Sequence, residues 1–547
     1  MKFGPGAPAS GFVIVACLAL LAQVGVLAGV EPIWDDAVFL FEDERVRSLT
    51  SVFTSFGEPF FGPLRPNEMY RPVVNASLAI DWFLSGSTPG AVGLTWFHFV
   101  NLLLHAANAG LAFLFLANLT GRSVGAPLLA ACLFAVHPLA VEPTAWLVGR
   151  CDLLAVFFGL LSGILLLRSP TDKRMLVPTL LLFTLSLFAK ATAVAMPLAV
   201  ALGVVAYKGL PPKRLLGKRL LPRFAAFAIP VVIWLGARVA VLGAAFPQAG
   251  GLAWRGEMSL LDRALGVGRA FAILVGQIAM PARLCGDYAA DPAWDPSGSA
   301  VGPLGWIGLA LLAGMTIAGI ALLRSHAKVG YPLLAFVLFL VPVLQVVPIG
   351  AIVADRFVYL PMLFAFLLIG EGLERIVVNV PRPAVLATTF AIFLVFGIQS
   401  HVRAAAWTDP IAFDRDVLRS YPGARSATQR LAIALSENGH ADDRREALAM
   451  LRNLAAREER PDHEWNLIGA MLVEDGRLDE AEEALLRAVD FAGRQPLMAA
   501  KARYNLAVVY KRTGRVEEAR ALLVNLLEWM PELTLAQQML DRLPAPE

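Results

Sequence analysis

Asp35 and Asp36 stand side by side just after the first long apolar run, residues 11 to 28. Adjacent carboxylates do not titrate alike, because repulsion and unequal burial drive their pKa values apart. One can then exchange a proton while the other orients groups or helps bind a divalent cation such as Mg or Mn. If the apolar run crosses a bilayer, both acids emerge at the membrane surface. An acid pair is also common as a solvated loop feature, so its surroundings must decide.

Further groups fall near the ends of later apolar runs. Arg71 lies in Tyr70-Arg71-Pro72, within the loop that follows the acid pair. His98, Asn101, His105 and Asn108 recur at steps of three and four, which puts them on one helical face. Such groups are costly against lipid, so that face must meet other helices or a wet cavity. His137-Pro138 with Glu142 closes the next run, where proline breaks the helix and frees backbone groups that need protein or water. Gly149-Arg150-Cys151-Asp152 opens the one after it. An Arg150–Asp152 pair could be structural, hold a phosphate or orient an acid. Lys190, Asp287-Tyr288 and Asp355-Arg356 with Tyr359 come later. Lys190 and Arg356 are suited to neutralising a phosphate.

The elements that must position these groups are membrane helices. Of 547 residues, 57% are hydrophobic and 17% charged, and mean hydropathy is +0.62, which excludes an ordinary soluble enzyme. A net charge of +3 with no basic–aromatic run gives no sign of a nucleic-acid partner. Cys17, Cys132, Cys151 and Cys285 lack CxxC spacing and read as packing residues. Apolar runs fall at 11–29, 97–118, 125–146, 151–168, 175–189, 191–207, 224–245, 301–323, 330–349, 357–377 and 384–401. The first begins after Lys2 and exceeds a signal-peptide core of roughly 7 to 15 residues, so it reads as a retained anchor. Residues 264–281, with Arg269, Gln277 and Pro281, read as amphipathic or re-entrant.

With eleven spans, the basic loop Lys208, Lys213, Arg214, Lys218, Arg219 and Arg223 is cytoplasmic together with Arg168, Lys173, Arg174, Arg324, Lys328, Arg375 and Arg382. A twelfth span would move the last four outside. Eleven spans place all the candidate site residues near the extracytoplasmic face.

Charges become dense after about residue 400. There Trp465, Ile468, Gly469, Leu472, Gly476 and Ala481, then Leu506, Ala507, Tyr510, Gly514, Ala519 and Pro531, follow tetratricopeptide (TPR) phasing. Leu435, Gly439, Ala447 and Pro461 form an earlier copy. The expected architecture is all-α: a membrane domain over 1–403 with a long first outer loop at 30–95, a linker at 404–420, and an extracytoplasmic TPR solenoid of about three repeats over 421–547.

Taken in order, Trp34-Asp35-Asp36, Tyr70-Arg71-Pro72, Phe97-His98-Phe99-Val100-Asn101 with His105, His137-Pro138 with Glu142, Gly149-Arg150 with Asp152-Leu153-Leu154, Asp355-Arg356 with Tyr359-Leu360-Pro361, and then the TPRs, resemble the transmembrane and TPR-repeat (TMTC-like) protein O-mannosyltransferases of the GT-C glycosyltransferase superfamily. The resemblance runs over roughly residues 30 to 531. It implies a polyprenyl-phosphate sugar donor, a hydroxyl acceptor such as Ser or Thr of a polypeptide held by the TPRs, and an acid/base role for Asp35 and Asp36. Arg71, His137, Glu142, Arg150, Asp152, Lys190, Asp355 and Arg356 would bind or orient the donor. The family has Lys-Glu where this chain reads Lys190-Ala191, a departure that favours the alternative of a non-catalytic TPR scaffold. Transfer to lipid or polysaccharide is a third reading. Abundant arginine and alanine point to a GC-rich bacterial genome and hence to the cytoplasmic membrane.

Overall fold

The computed structural model describes residues 7–29, 31–37, 39–40, 43–62, 69–86, 93–211, 217, 220–245, 259–282, 284–288, 302–344, 351, 353–377, 380–492 and 496–544. Lys2, Lys213, Arg214, Lys218, Arg219 and the 345–349 end of the ninth expected span lie outside them. Every regular element among the described residues is helical. The chain divides into two units, Met1–Asp416 and Val417–Glu547.

Unit 1 begins with α1 (Ala7–Gln23), whose apolar stretch continues to Ala28. The following loop carries the short α2 (Ser51–Thr54) and α3 (Pro72–Ser85). Then come α4 (Leu94–Thr120), α5 (Ala126–Val136), α6 (Val141–Ala145), α7 (Arg150–Arg168), α8 (Leu176–Ala189), α9 (Met196–Lys208), α10 (Leu221–Ala226) and α11 (Ala228–Leu242). The rest of the unit holds α12 (Leu260–Ala279), α13 (Gly302–Ser325), α14 (Ala327–Leu340), α15 (Pro361–Ile376) and α16 (Arg382–Ala405). Residues 404–420, expected as a linker, form the end of α16 and then α17 (Pro410–Ser420), which crosses the boundary between the units.

Among the described residues seven helices are long and apolar enough to cross a membrane, and the pair Ala126–Val136 and Pro138–Ala145, bent by 57°, makes an eighth if taken as one span. The other three expected spans are short: α8 and α14 have 14 residues and α15 has 16. A bilayer core needs about 20 helical residues. α14 and α15 adjoin the 3-10 turns Val341–Val343 and Asp355–Val358, so those two apolar runs outlast the regular helix, whereas α8 fills its expected run of 175–189 to within a residue. Residues 264–281 lie mostly in α12, where Gly268 meets Gly305 and Gly308 of α13 so closely that a Cβ on either Gly268 or Gly308 would overlap the other helix.

α4 is the hub of unit 1, packing on α1, α5 and α7. Phe113, Phe115 and Leu116 have no exposure. Gly110 sits where a Cβ would come within 2.5 Å of the Phe12 ring, so the small residue sets how near α1 can lie. Between lipid-immersed helices such packing and hydrogen bonding replace the hydrophobic effect as the source of association.

Unit 2 consists of the helix pairs α18 (Arg425–Glu437) with α19 (Ala441–Ala455), α20 (Asp462–Glu474) with α21 (Leu478–Ala492), and α22 (Pro496–Arg512) with α23 (Val516–Trp529), closed by α24 (Thr534–Asp541). Gly439, Gly476 and Gly514 turn between partners with φ of 79°, 74° and 82°, a region that favours glycine. Ala447, Ala481 and Ala519 are fully buried where the second helix of each pair meets its neighbours. The unit is a TPR-like α-solenoid.

Candidate functional site

Trp34 has φ of 54°, alone among described non-glycine residues in having positive φ, a conformation uncommon for a bulky side chain. The turn is closed by Asp36 N donating to Ile33 O (3.1 Å) and Phe39 N to Asp35 O (3.2 Å). The two acids then part. The Asp36 carboxylate is buried and accepts from Leu147 N (3.3 Å) and Val148 N (3.2 Å), at the start of the 3-10 turn before α7. Burial pushes its pKa up to about 8, the two backbone N–H groups pulling the other way and the charge of Asp35 adding to the rise. Asp35 remains half-buried.

A cationic cluster is built from three separate segments, which carry Arg71, Lys190 and Arg356. Lys190, at the break between α8 and its 3-10 turn, pairs with Asp152 of α7 at 2.6 Å. Arg356 pairs with the fully buried Glu142, which also accepts from Arg356 N at 3.0 Å; the guanidinium lies 4.8 Å from the Trp146 ring centroid. Arg71, N-cap of α3, reaches Cys151 Sγ at 3.4 Å and covers the Phe60 ring at 5.2 Å. Asp152, Lys190 and Arg356 line a small cleft whose other walls include Val156, Met196, Phe339 and Leu360. A cationic mouth over apolar walls suits an anion attached to an apolar chain.

Other expected site residues are engaged within the protein. Arg150 does not pair with Asp152. It is fully buried and binds Asp81 of α3, Asn101 Oδ1 (2.7 Å) and Phe97 O (2.9 Å). Asp355 accepts from Arg403 (2.5 Å) and Tyr288 OH (2.6 Å), burial raising its pKa while Arg403 opposes. His137 caps the turn after α5 by accepting from Leu139 N, and packs on Phe366 and Phe396. The polar face of α4 is used for interhelical bonding: His105 bonds Tyr359 OH (2.9 Å) and Gln23 (3.1 Å), Asn108 donates to Leu153 O (2.9 Å), and Asn101 donates to Trp146 O (3.2 Å). His98 is buried beside Gly29. Ala191 is exposed at the first position of its 3-10 turn.

Asp81, Tyr288 as a ligand of Asp355, and Arg403 were not picked out from the sequence. Arg403 lies in the last turn of α16, where a cation is the ordinary complement of the helix dipole, so its type gave no signal. Among the described residues no group of three or more His, Cys, Asp or Glu could hold a metal ion. Both Asp36 oxygens face N–H donors, an environment suited to an acceptor rather than a metal ligand, so the acid pair does not fit a shared cation site.

No family model matches the chain. The human protein O-mannosyl-transferase TMTC4 is 33% identical over 146 residues, 24% of this chain and 19% of the relative. Mouse TMTC1 is 31% identical over 173 residues, 30% and 18% of the two chains, and mouse TMTC2 is 35% identical over 111 residues, 20% and 13%. The matched stretch thus spans less than a fifth of these relatives' length. A crystal structure of the APC/C hetero-tetramer Cut9–Hcn1 aligns over 86% of this chain and 92% of its own at 13% identity, with a TM-score of 0.22 that carries no argument. Over the matched stretch the chain is similar to the TMTC protein O-mannosyl-transferases, the group its motifs resemble.

Proposed function

We propose that unit 1 is a multi-pass membrane glycosyltransferase of GT-C type that moves a hexose such as mannose from a polyprenyl-phosphate donor to a Ser or Thr hydroxyl of a polypeptide held by unit 2. The observation that carries this reading is the gathering of cations around one cleft. Lys190 and Arg356 line it, paired with Asp152 and Glu142, and Arg71, which has no carboxylate partner among the described residues, lies against Cys151, the neighbour of the cleft-lining Asp152. A cation beyond the paired ones, beside a cleft with apolar walls, suits a lipid phosphate and its chain.

In the reaction Asp35 takes the acceptor hydroxyl proton as that oxygen attacks the anomeric carbon. The carbon–oxygen bond to the lipid phosphate breaks, and its electron pair leaves on the phosphate. Arg71 and Lys190 offset that charge, and Asp36 fixes the turn carrying Asp35. General-base assistance of this kind contributes about 10² to 10⁴ in rate. Basic loops at the far ends of the helices support an extracytoplasmic cleft by the positive-inside rule, and the arginine- and alanine-rich composition supports a bacterial cytoplasmic membrane.

The test is sugar transfer in proteoliposomes from a panel of radiolabelled polyprenyl-phosphate sugars to a varied acceptor pool. Asp35→Asn is expected to lower transfer about 10² to 10⁴-fold, and Asp36→Asn, which keeps an acceptor oxygen for Leu147 and Val148, to lower it less. Absence of transfer by the wild-type chain from every donor, with proper folding, favours the scaffold reading that Ala191 motivates.

A further inference from the structure

The acid pair belongs to the first loop, yet what holds the residue before it comes from the other end of unit 1. The Trp34 ring meets Trp146, Trp407 and Phe413 edge-on, with centroids 5.7, 5.6 and 4.7 Å away. Trp407 and Phe413 also pack on each other at 4.9 Å and are 1% and 2% exposed. Trp407 lies on the connection from α16 to α17, and Phe413 in the first turn of α17. That connection is itself fixed: Asp409 Oδ1 accepts from Ala412 N at 2.8 Å, Thr408 O accepts from Glu31 N at 3.4 Å, and any Cβ on Gly286 would collide with the Phe413 ring.

We propose that Trp407 and Phe413 are positioning residues for Asp35: their rings wedge Trp34 into its left-handed conformation and so fix the turn on which Asp35 is carried. The inference rests on the proposed base role of Asp35. A bulky residue does not keep positive φ unless its surroundings over-determine it, and such strain is characteristic of functional turns. Without the wedge, Trp34 relaxes toward negative φ, and the peptide planes on either side of Asp35 rotate with it. Asp36 is anchored separately by the N–H groups of Leu147 and Val148, so the displacement falls on Asp35.

The experiment combines kinetics with chemical access in proteoliposomes. Phe413→Ala is expected to lower kcat about 10²-fold, the cost of misplacing a catalytic group by about an ångström, with donor KM unchanged. Trp407→Phe, which keeps an aromatic ring against Trp34, retains most of the rate. Combining Trp34→Gly with Phe413→Ala is no slower than Trp34→Gly alone, since both act through one contact. Phe413→Ala at wild-type kcat overturns the inference while leaving the proposed reaction standing. A wild-type chain that transfers no sugar removes the reaction instead, and a second readout still decides the geometry. The thiol introduced by Asp35→Cys is expected to change its rate of modification by a membrane-impermeant maleimide at least about tenfold when Phe413→Ala is added, a change in access of the kind that sets thiol reactivity. An unchanged rate overturns the wedge.

Discussion

The two ends of the unit 1 helices close in different ways. At the end away from the cleft, α4 and α9 finish in glycine caps, Gly121 and Gly209, with φ of 71° and 61°. A single ion cluster ties that end together: Arg122 pairs with Glu371 and Glu374, Tyr207 OH donates to Glu371 (3.1 Å), and Glu374 accepts from Ala126 N (2.6 Å). At the cleft end, α5, α8 and α14 run into 3-10 turns, directly or after a single residue, and four buried or nearly buried ion pairs stand side by side. The 27-residue α4 separates the ends by about 40 Å at a helical rise of about 1.5 Å per residue. Glycine caps satisfy a helix end and let the chain leave. Broken ends leave backbone groups and side chains inside the bundle, which is costly in lipid unless polar partners or ligand meet them.

Substitutions can break this contrast, or sharpen it within the cleft end itself. The largest effect is expected from Lys190→Ala, which removes a cleft-lining cation: sugar transfer per folded molecule falls about 10² to 10³-fold, and the thermal midpoint in detergent falls as well because Asp152 is stranded. Arg150→Ala separates fold from function at the same end. It strands the buried Asp81 and costs about 3 to 5 kcal/mol, read as loss of folded protein in denaturant titration. Arg122→Ala at the opposite end touches a partly exposed cluster and is expected to cost about 1 to 3 kcal/mol, with kcat of the folded fraction retained. A fall in kcat matching that of Lys190→Ala would erase the distinction between the ends.

The smallest effect is one of pH. The Asp36 pKa is raised to about 8, so the folded turn holds its proton more tightly than the unfolded chain does. The associated stability is full below the ordinary carboxylate pKa near 4 and is lost as pH rises through 8. Hydrogen exchange of residues 31–40, corrected for intrinsic rates, is expected to show weaker protection at pH 9 than at pH 6. Asp36→Asn abolishes that difference.

What the sequence disclosed follows from which interactions are local. Pro138 marks the break after α5, and the glycines of unit 2 mark its turns, because a missing N–H or a positive φ is a property of one residue. Pairing is not local. Arg150 has Asp152 two residues away, yet about 200° of helical rotation along α7 sends Arg150 toward Asp81 and Asp152 toward Lys190, 38 residues on. Asp35 and Asp36 are chemically identical in sequence and differ only because Leu147 and Val148 come from another segment. The span pattern overstated helix length at α14 and α15, since hydropathy does not see a 3-10 turn made of the same apolar residues.

The pairing of Glu142 with Arg356 spans 214 residues. At about 5 to 20 residues per second, the carboxylate waits roughly 10 to 40 s on the ribosome before its partner is made. During that time it must borrow another cation or face the water-filled side of the insertion machinery. The cleft therefore cannot be assembled hairpin by hairpin as the chain emerges, and its completion waits for the segment that carries Arg356.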